Sequence, residues 1–187
     1  SVTGEFVFKG VQAQQGVSGV DGLGKVISEL VLSDDGKFLY TANGLLMNHN
    51  SASQSAIAVF SIDAADGSLD YVNMHSGGNA ASGIYNPSNI VISSDGNYAY
   101  VSNASGNCIG IFARNSATGE LAYIATVDQT YINADSDGAT WVSGSLSTLQ
   151  DIVITPDGNF VYVSAAVNGG NKISVFSRDA DTGALHF

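Results

Sequence analysis

Residues 94–123 read SDGNYAYVSNASGNCIGIFARNSATGELAY, and this stretch is one copy of a unit that occurs three times. The copy before it reads DDGKFLYTANG at 34–44 and AIAVFSIDAADGSLDY at 56–71. The copy after it reads PDGNFVYVSAA at 156–166 and KISVFSRDADTGALHF at 172–187. Each copy follows the order turn, strand, strand, turn, strand, so the sequence predicts a repeated β unit.

A short apolar run before each Asp-Gly turn predicts one more strand per unit. These runs are LVL at 30–32, IVI at 90–92 and IVI at 152–154. Continuous apolar runs are typical of strands that are buried on both faces. The Asp-Gly pair supplies the positive φ angle that a tight hairpin needs. Each unit is therefore predicted to hold four strands.

The spacing of the turns indicates which repeated fold this is. Asp35, Asp95 and Asp157 begin equivalent turns about 60 residues apart, and four strands in such a period are typical of a propeller blade. A β-α solenoid would need helical periodicity, and an immunoglobulin-like sandwich would not repeat its turns in phase. The predicted fold is all-β, a β-propeller segment of three four-stranded antiparallel blades. We expect blade 1 at 26–74, blade 2 at 88–127 and blade 3 at 150–187.

The first ten residues match the end of a unit rather than its beginning. TGEF at 3–6 aligns with TGEL at 118–121 and TGAL at 182–185. Residues 1–10 are therefore predicted to form one leading outer strand of a preceding blade. The chain starts at Ser1 without an initiator Met or a signal peptide, which indicates a processed product or an excised piece.

The pattern PDGxxVYV followed by IxVFSRDxxTGxL, at 156–163 and 173–185, resembles the lactonase-type β-propellers. That family includes the bacterial 6-phosphogluconolactonases, and the repeat is also similar to the YVTN-type repeats of microbial surface proteins. The resemblance implies a ring of about seven blades and suggests hydrolysis of a sugar lactone. The matching residues build blades, so no catalytic residue is carried over and the catalytic residues stay unknown.

Composition limits the possible partners. The chain has 187 residues, with 17 acidic and 6 basic side chains and a net charge of −11. Such a surface repels phosphate backbones and anionic lipids, so we expect no nucleic acid as partner. No apolar run is long enough to span a bilayer, so membrane insertion is not expected. The acidic charge fits cation binding, but an ordinary solvated surface is the simpler interpretation.

Three blades do not close a ring, and open blades expose strand edges and apolar faces. The expected partners are therefore further blades or copies of the chain itself, with residues 5–9 completing a neighbouring blade by strand addition. The acidic surface, rich in Asn, Ser and Gly, favours an exported protein at the cell surface or outside the cell, with the periplasm as an alternative. Cys108 is the single cysteine, so no internal disulfide forms.

Long connections occur only between second and third strands and between an outer strand and the next unit. In an up-and-down blade these connections emerge at one end, which makes that end the candidate site, although tolerated variation in loop length explains the same pattern. His49 and His75 could bind a metal or act as a base there, or they are exposed loop histidines. Tyr85, Tyr131 and Trp141 could stack on a carbohydrate or another small molecule, or they cap the blades.

The sequence NADSDG at 133–138 suggests a cation site. Asn133, Asp135 and Asp137 alternate as oxygen ligands do in the first half of an EF-hand loop, and Gly138 follows. The twelfth position is Gly144 instead of a bidentate Glu, and the same residues are common in turns. Ca²⁺ is the one cofactor that the sequence suggests.

Two functions remain open from the sequence. The first is a non-enzymatic binding or assembly module of an exported prokaryotic protein, which self-associates by strand addition. The second, implied by the resemblance, is a fragment of a sugar-lactone hydrolase that resembles 6-phosphogluconolactonase. The basic residues are few, and several lie near the short turns, which disfavours a phosphorylated substrate. They are Lys9, Lys25, Lys37, Arg114, Lys172 and Arg178.

Overall fold

A computed structural model describes residues 10, 26–44, 55–79, 82–135, 144–166 and 170–187. Most of the predicted leading strand at 1–10 lies outside these residues, so that strand stays a prediction. The described residues form three separate four-stranded antiparallel sheets in which the strands follow chain order. This confirms the predicted all-β fold of three four-stranded blades.

Each blade is an up-and-down sheet with its first strand on the inside. Blade 1 consists of β1 (Val26–Leu32), β2 (Phe38–Gly44), β3 (Ser55–Ile62) and β4 (Leu69–Gly77). Blade 2 consists of β5 (Pro87–Ile92), β6 (Tyr98–Asn103), β7 (Cys108–Arg114) and β8 (Leu121–Val127). Blade 3 consists of β9 (Leu149–Ile154), β10 (Phe160–Ala165), β11 (Lys172–Arg178) and β12 (Leu185–His186).

The Asp-Gly turns form as the sequence predicts. In blade 1, Gly36 has a φ of 68° and its amide donates to the Ser33 carbonyl at 2.8 Å. The Asp35 carboxylate accepts from the Ser33 hydroxyl at 2.6 Å and from the Lys37 amide at 3.1 Å. Blades 2 and 3 repeat this arrangement around Asp95 and Asp157. The same local chemistry therefore sets the first hairpin of every blade.

Neighbouring blades pack through their apolar faces, and the inner strands β1, β5 and β9 lie side by side. One core cluster lies between blades 1 and 2 and includes Tyr40, Ile57 and Ile90. A second lies between blades 2 and 3 and includes Tyr100 and Ile109. Each of these two clusters joins two blades, so most of the core of this segment lies at interfaces between blades.

The connection after β8 contains a short helix that the sequence analysis did not predict. Helix α1 spans Gln129–Asp135. The Asp128 carboxylate accepts from the Tyr131 amide at 2.9 Å, which is the usual cap at a helix N-terminus. Ile132 is fully buried in the cluster between blades 2 and 3. Capping and the burial of one side chain therefore stabilise a helix too short to show a periodic pattern.

In the described part of the chain, no helix is long and apolar enough to cross a membrane.

Candidate functional site at the loop-bearing end and between the blades

The antiparallel order places two kinds of connection at each end of the blades. The short turns after the first and third strands lie at one end, and the long connections lie at the other. We call the second end, formed by described residues 77–79, 82–87, 103–108, 128–135 and 144–149, the loop-bearing end. It carries Tyr85 and Tyr131, two of the predicted ligand-binding residues.

His75 lies in a strand and not in a loop, which corrects the sequence interpretation. It belongs to β4 and pairs with Ile57 of β3. Its ring meets the Phe112 ring edge-on at a centroid distance of 5.1 Å. Burial lowers the pKa of His75 below its usual value. The β-ladder of blade 1 continues beyond the point where the sequence suggested that it ended, and it draws His75 into the contact between blades 1 and 2.

Tyr85 belongs to a turn that is fixed by a buried amide side chain. The Asn103 side chain is fully buried, and its Oδ1 accepts from the Tyr85 amide at 2.7 Å. Its Nδ2 donates to the Gly83 carbonyl at 2.9 Å and to the Val101 carbonyl at 3.1 Å. A Cβ atom on Gly110 would overlap the Gly83 carbonyl, so the turn lies directly on β7. The Tyr85 side chain itself is half-buried.

Tyr131 contributes to the packing of helix α1 against blade 3. Its hydroxyl donates to the Leu185 carbonyl at 2.8 Å. Burial, and secondarily the Asp135 charge, raise the pKa of Tyr131. Within the described residues, no hydrogen bond or ring contact joins any two of His75, Tyr85 and Tyr131. His49 and Trp141 lie outside the described residues, so their part in a site stays a prediction.

Two of the predicted cation ligands, Asn133 and Asp135, lie in helix α1. Asn133 Oδ1 accepts from Gln129 Nε2 at 3.0 Å. Asp135 Oδ2 accepts from the Phe187 amide at 2.5 Å, and Asp135 Oδ1 lies 3.7 Å from His186 Nδ1. Asp137 lies outside the described residues. Among those residues, no group of three or more His, Cys, Asp or Glu side chains could hold a metal ion. Calcium binding therefore stays a prediction.

Cys108 lies at the start of β7 and is fully buried. Burial raises the pKa of its thiol to about 11. Since the thiolate is the reactive form, this cysteine is a structural side chain.

At the end with the short turns, an arginine of one blade holds a tyrosine of the blade before it. Arg114 Nε donates to the Tyr40 hydroxyl at 2.5 Å, and Arg114 Nη1 donates to the Gly96 carbonyl at 2.8 Å. The Tyr40 hydroxyl in turn donates to the Gly119 carbonyl at 2.9 Å. Tyr40 belongs to blade 1 and the other three residues to blade 2. We call this set the first clasp.

The same arrangement recurs between blades 2 and 3 as the second clasp. Arg178 Nε donates to the Tyr100 hydroxyl at 2.8 Å, and Arg178 Nη1 donates to the Gly158 carbonyl at 3.1 Å. The Tyr100 hydroxyl donates to the Gly183 carbonyl at 3.0 Å. Arg178 Nη2 also binds Asp95 Oδ2 at 2.5 Å. The two successive interfaces thus share the same contacts: an arginine donates to the tyrosine hydroxyl of the previous blade and to a glycine carbonyl of its own blade.

An aromatic ring and a glycine complete each clasp. The Arg114 guanidinium lies over the Phe38 ring at 5.4 Å, and the Arg178 guanidinium lies over the Tyr98 ring at 5.2 Å. The next turn of each arginine blade contains a glycine with positive φ, 77° at Gly119 and 73° at Gly183. A Cβ atom at either glycine would overlap that ring. The glycine therefore allows the turn of one blade to lie on the aromatic ring of the previous blade.

The turn aspartates next to the clasp arginines, Asp35 and Asp95, are stabilised in their charged form. Hydrogen bonds, above all from the Ser33 hydroxyl, lower the pKa of Asp35. Burial alone would raise the pKa of Asp95, but hydrogen bonds from Ser93 and the Arg178 guanidinium bring it below its usual value. Burial raises the pKa of Tyr100 to about 12, although Arg178 acts in the opposite direction. At neutral pH each interface therefore brings a carboxylate, a neutral phenol and a guanidinium close together.

The sequence pattern placed Arg114 and Arg178 near the short turns but did not identify them as interface residues. Both side chains are only 2% exposed. A signal was present, because the tyrosine, the Asp-Gly turn and the arginine recur in register. Blade 1 departs from the pattern. Its Ile62 amide donates to the Lys37 carbonyl, as the Arg114 and Arg178 amides donate to the carbonyls of Asn97 and Asn159. Ile62 therefore occupies the arginine position.

The geometry of repeated blades agrees with the comparison with known families. Residues 5–143 match the family model described as "Lactonase, 7-bladed beta-propeller". The chain belongs to this lactonase family. No curated protein matches the chain.

Solved structures show the same fold at low sequence identity. A proposed 6-phosphogluconolactonase of Bacteroides fragilis is 24% identical, with a TM-score of 0.62 over 84% of this chain and 36% of that protein. A second from Bacteroides uniformis is 21% identical, with a TM-score of 0.59 over 83% and 38%. A protein from Lactobacillus plantarum is 21% identical, with a TM-score of 0.58 over 88% and 42%. The chain thus spans well under half the length of these proteins.

Proposed function

We propose that this chain is a binding and assembly module built from lactonase-family blades, and that it docks a further blade or a second copy of itself. The docking surface is the side of blade 3 that faces away from blade 2. We call it the open face; it consists of Val153, Phe160, Tyr162, Ile173 and Val175. An exported protein, at the cell surface, outside the cell or in the periplasm, suits a module of this kind.

The observation that carries the proposal is a contrast between equivalent positions in three blades. Ile173 is 72% exposed, whereas Ile57 and Ile109 are fully buried at the same register in blades 1 and 2. Tyr162 is 36% exposed, whereas Tyr100 is fully buried. Covering one such side chain contributes about 1.5–3 kcal/mol. An uncovered set of them therefore favours association strongly.

The shape of the open face also supports docking. It contains a shallow pocket of about 120 Å³, and the residues that line it are Asp151, Ile152, Val153, Tyr162, Ser164 and Ile173. On the opposite side of the segment, Leu30 and Leu32 of blade 1 are more than half exposed. Their equivalents in blade 2, Ile90 and Ile92, pack against blade 1. The two outer sides of the segment therefore present complementary halves of one type of interface.

The test measures the mass of the chain by sedimentation and light scattering over a range of concentrations. We expect concentration-dependent association that Ile173→Glu abolishes, because the substitution places a charge at the centre of the open face. Ile124→Glu is the matched control, since Ile124 is 44% exposed on the outer strand β8. Equal masses for the wild type and Ile173→Glu at every concentration would refute docking of a second copy through the open face. Repeating the series with Ca²⁺ tests whether the predicted cation site affects association.

A second candidate, a sugar-lactone hydrolase, rests on membership of the lactonase family. Opening a lactone requires a base or a metal that activates water. Arg114 and Arg178 are held in the clasps, which favours an unphosphorylated lactone over a phosphorylated one. The assay is hydrolysis of gluconolactone and of 6-phosphogluconolactone by the wild type and by His75→Ala. Hydrolysis by the wild type that His75→Ala abolishes would favour this candidate.

A further inference from the structure

The two clasps define what a blade must carry in order to cover a tyrosine-bearing face. In both interfaces the covering blade supplies an arginine at the end of its third strand and a glycine in the turn that follows. The covered blade supplies a tyrosine in its second strand and an aromatic ring two residues before it. The aspartate of its first turn lies 2.5 Å from the arginine in the second clasp and 3.9 Å from it in the first. The roles are never reversed, so the direction of recognition is the same at both interfaces.

Blade 3 presents the complete receiving half of a third clasp. Tyr162 pairs with Val175 as Tyr100 pairs with Ile111, so its register is the same. Phe160 occupies the position in blade 3 that is equivalent to Tyr98, whose ring lies under the Arg178 guanidinium in the second clasp. The Phe160 side chain is 41% exposed. Asp157 caps its turn as Asp95 does, and hydrogen bonds, chiefly from the Thr155 hydroxyl, lower its pKa. A ring, a phenol and a carboxylate are thus arranged for a guanidinium.

We propose that the partner of the open face is a blade with an arginine at the register position of Arg114 and Arg178, and that Tyr162, Phe160 and Asp157 bind that arginine. This inference rests on the proposed assembly function and specifies the partner. A second copy of the chain that docked through its blade 1 would place Ile62 at this position. An isoleucine donates no hydrogen bond to the phenol and offers no charge to the carboxylate. Blade 1 therefore makes the weaker partner, and an arginine-bearing blade makes the stronger one.

The chain itself offers a gain-of-function test. The side chain of Ile62 is half-buried, and blade 1 already has the turn glycine, Gly67, with a φ of 79°. Ile62→Arg therefore adds the one element that blade 1 lacks. We expect the association constant measured by sedimentation equilibrium to rise about tenfold. This rise corresponds to about 1.4 kcal/mol of binding free energy. Ile62→Met is the matched control, because it has similar reach without donors.

Substitutions in the receiving half on blade 3 show whether the gain in association depends on the predicted contacts. In the Ile62→Arg background, Tyr162→Phe and Asp157→Asn should each return the association constant towards the wild-type value. Both positions are exposed, so neither variant should change the unfolding midpoint. Equal association of Ile62→Arg and Ile62→Met would overturn the proposal. So would a gain that persists in the Ile62→Arg variant carrying both Tyr162→Phe and Asp157→Asn.

The outcomes separate this inference from the proposed function. Association of the wild type that Ile173→Glu abolishes, with no gain from Ile62→Arg, would support docking by the open face and refute the arginine requirement. A wild type of constant mass, with association by Ile62→Arg that Tyr162→Phe reverses, would support the arginine requirement and refute self-association of the native chain.

Discussion

The two clasps occupy equivalent places but differ in how completely the arginine is bound. In the second clasp, Arg178 Nη2 reaches Asp95 at 2.5 Å. In the first clasp, Arg114 Nη2 stays 3.9 Å from Asp35 and, among the described residues, has no hydrogen-bond partner although it is buried. One clasp is therefore a closed network, and the other leaves a buried donor unsatisfied.

The contrast shows that the repeat keeps the tyrosine–arginine contact more strictly than the ion pair. Both arginines bind the tyrosine hydroxyl and a carbonyl of their own blade, although only one of them binds the aspartate closely. An unsatisfied buried donor costs about 1–3 kcal/mol. The interface between blades 2 and 3 should accordingly be the stronger of the two, and substitutions at equivalent positions can measure the difference.

Removing the arginines should destabilise the chain most. Arg178→Met keeps the aliphatic stem but leaves Tyr100 and Asp95 without their cation, so we expect a loss of about 3 kcal/mol of unfolding free energy. Arg114→Met removes a less complete network, and we expect a loss of about 2 kcal/mol. Urea unfolding with unchanged m-values measures both.

The exposed Lys37 supplies the control for the arginine pair. Its ammonium lies 3.7 Å from Asp35, and its side chain is 70% exposed. Lys37→Met should change the unfolding free energy by well under about 1 kcal/mol, because surface ion pairs are weak. A larger loss for Arg114→Met than for Arg178→Met would reverse the ranking of the two clasps.

A second pair of substitutions isolates the contact between a turn glycine and the ring of the previous blade. Gly183→Ala combines an unfavourable φ of 73° with overlap of the Tyr98 ring, and we expect a loss of about 2.5 kcal/mol. Gly67→Ala has nearly the same φ, 79°, but faces open space, so about 1 kcal/mol is expected from backbone strain alone. Thermal unfolding of the two variants gives the difference, which is the contribution of the neighbouring blade. Equal losses would show that the ring contact is unimportant.

The strands were predictable from the sequence because their determinants are local. The Asp-Gly turns need only a positive φ at Gly36 and its equivalents, and the aromatic and β-branched runs beside them indicate strands without reference to the rest of the chain. Each of these local patterns occurs three times in the chain, which makes the strand prediction more certain than a single copy would. For the same reason the arginine position can be aligned across the blades from the sequence alone.

The features that the sequence did not reveal depend on contacts between segments far apart in the chain. Helix α1 forms because Ile132 is buried between two blades, and nothing in seven residues reveals that burial. His75 looked like a loop residue because the ladder of β4 extends only with the help of β3. The sequence placed Arg114 near a short turn without revealing its burial, because that burial requires Tyr40, which lies 74 residues earlier. A candidate site assembled from distant loops is hidden from the sequence in the same way.

A more modest effect is expected when one substitution is compared in all three blades. Tyr100→Phe and Tyr40→Phe each delete a buried hydroxyl that accepts from an arginine, so we expect losses of about 1.5 kcal/mol. Tyr162→Phe deletes an exposed hydroxyl at the same register, and we expect no measurable loss in the unassociated chain. Urea unfolding at low protein concentration makes the comparison. A loss for Tyr162→Phe equal to the other two would mean that the hydroxyl stabilises the blade itself instead of the interface.

Alkaline pH gives this last comparison a second readout. Burial raises the pKa of Tyr100 to about 12 in the folded chain, against about 10 for an unfolded tyrosine. The folded state therefore favours the protonated phenol. Its contribution is complete below about pH 10 and is lost as the pH rises through about 12. Tyr100→Phe should flatten the fall in stability over this range. An unchanged slope in Tyr100→Phe would mean that its hydroxyl is not the group whose ionisation opens the interface between blades 2 and 3.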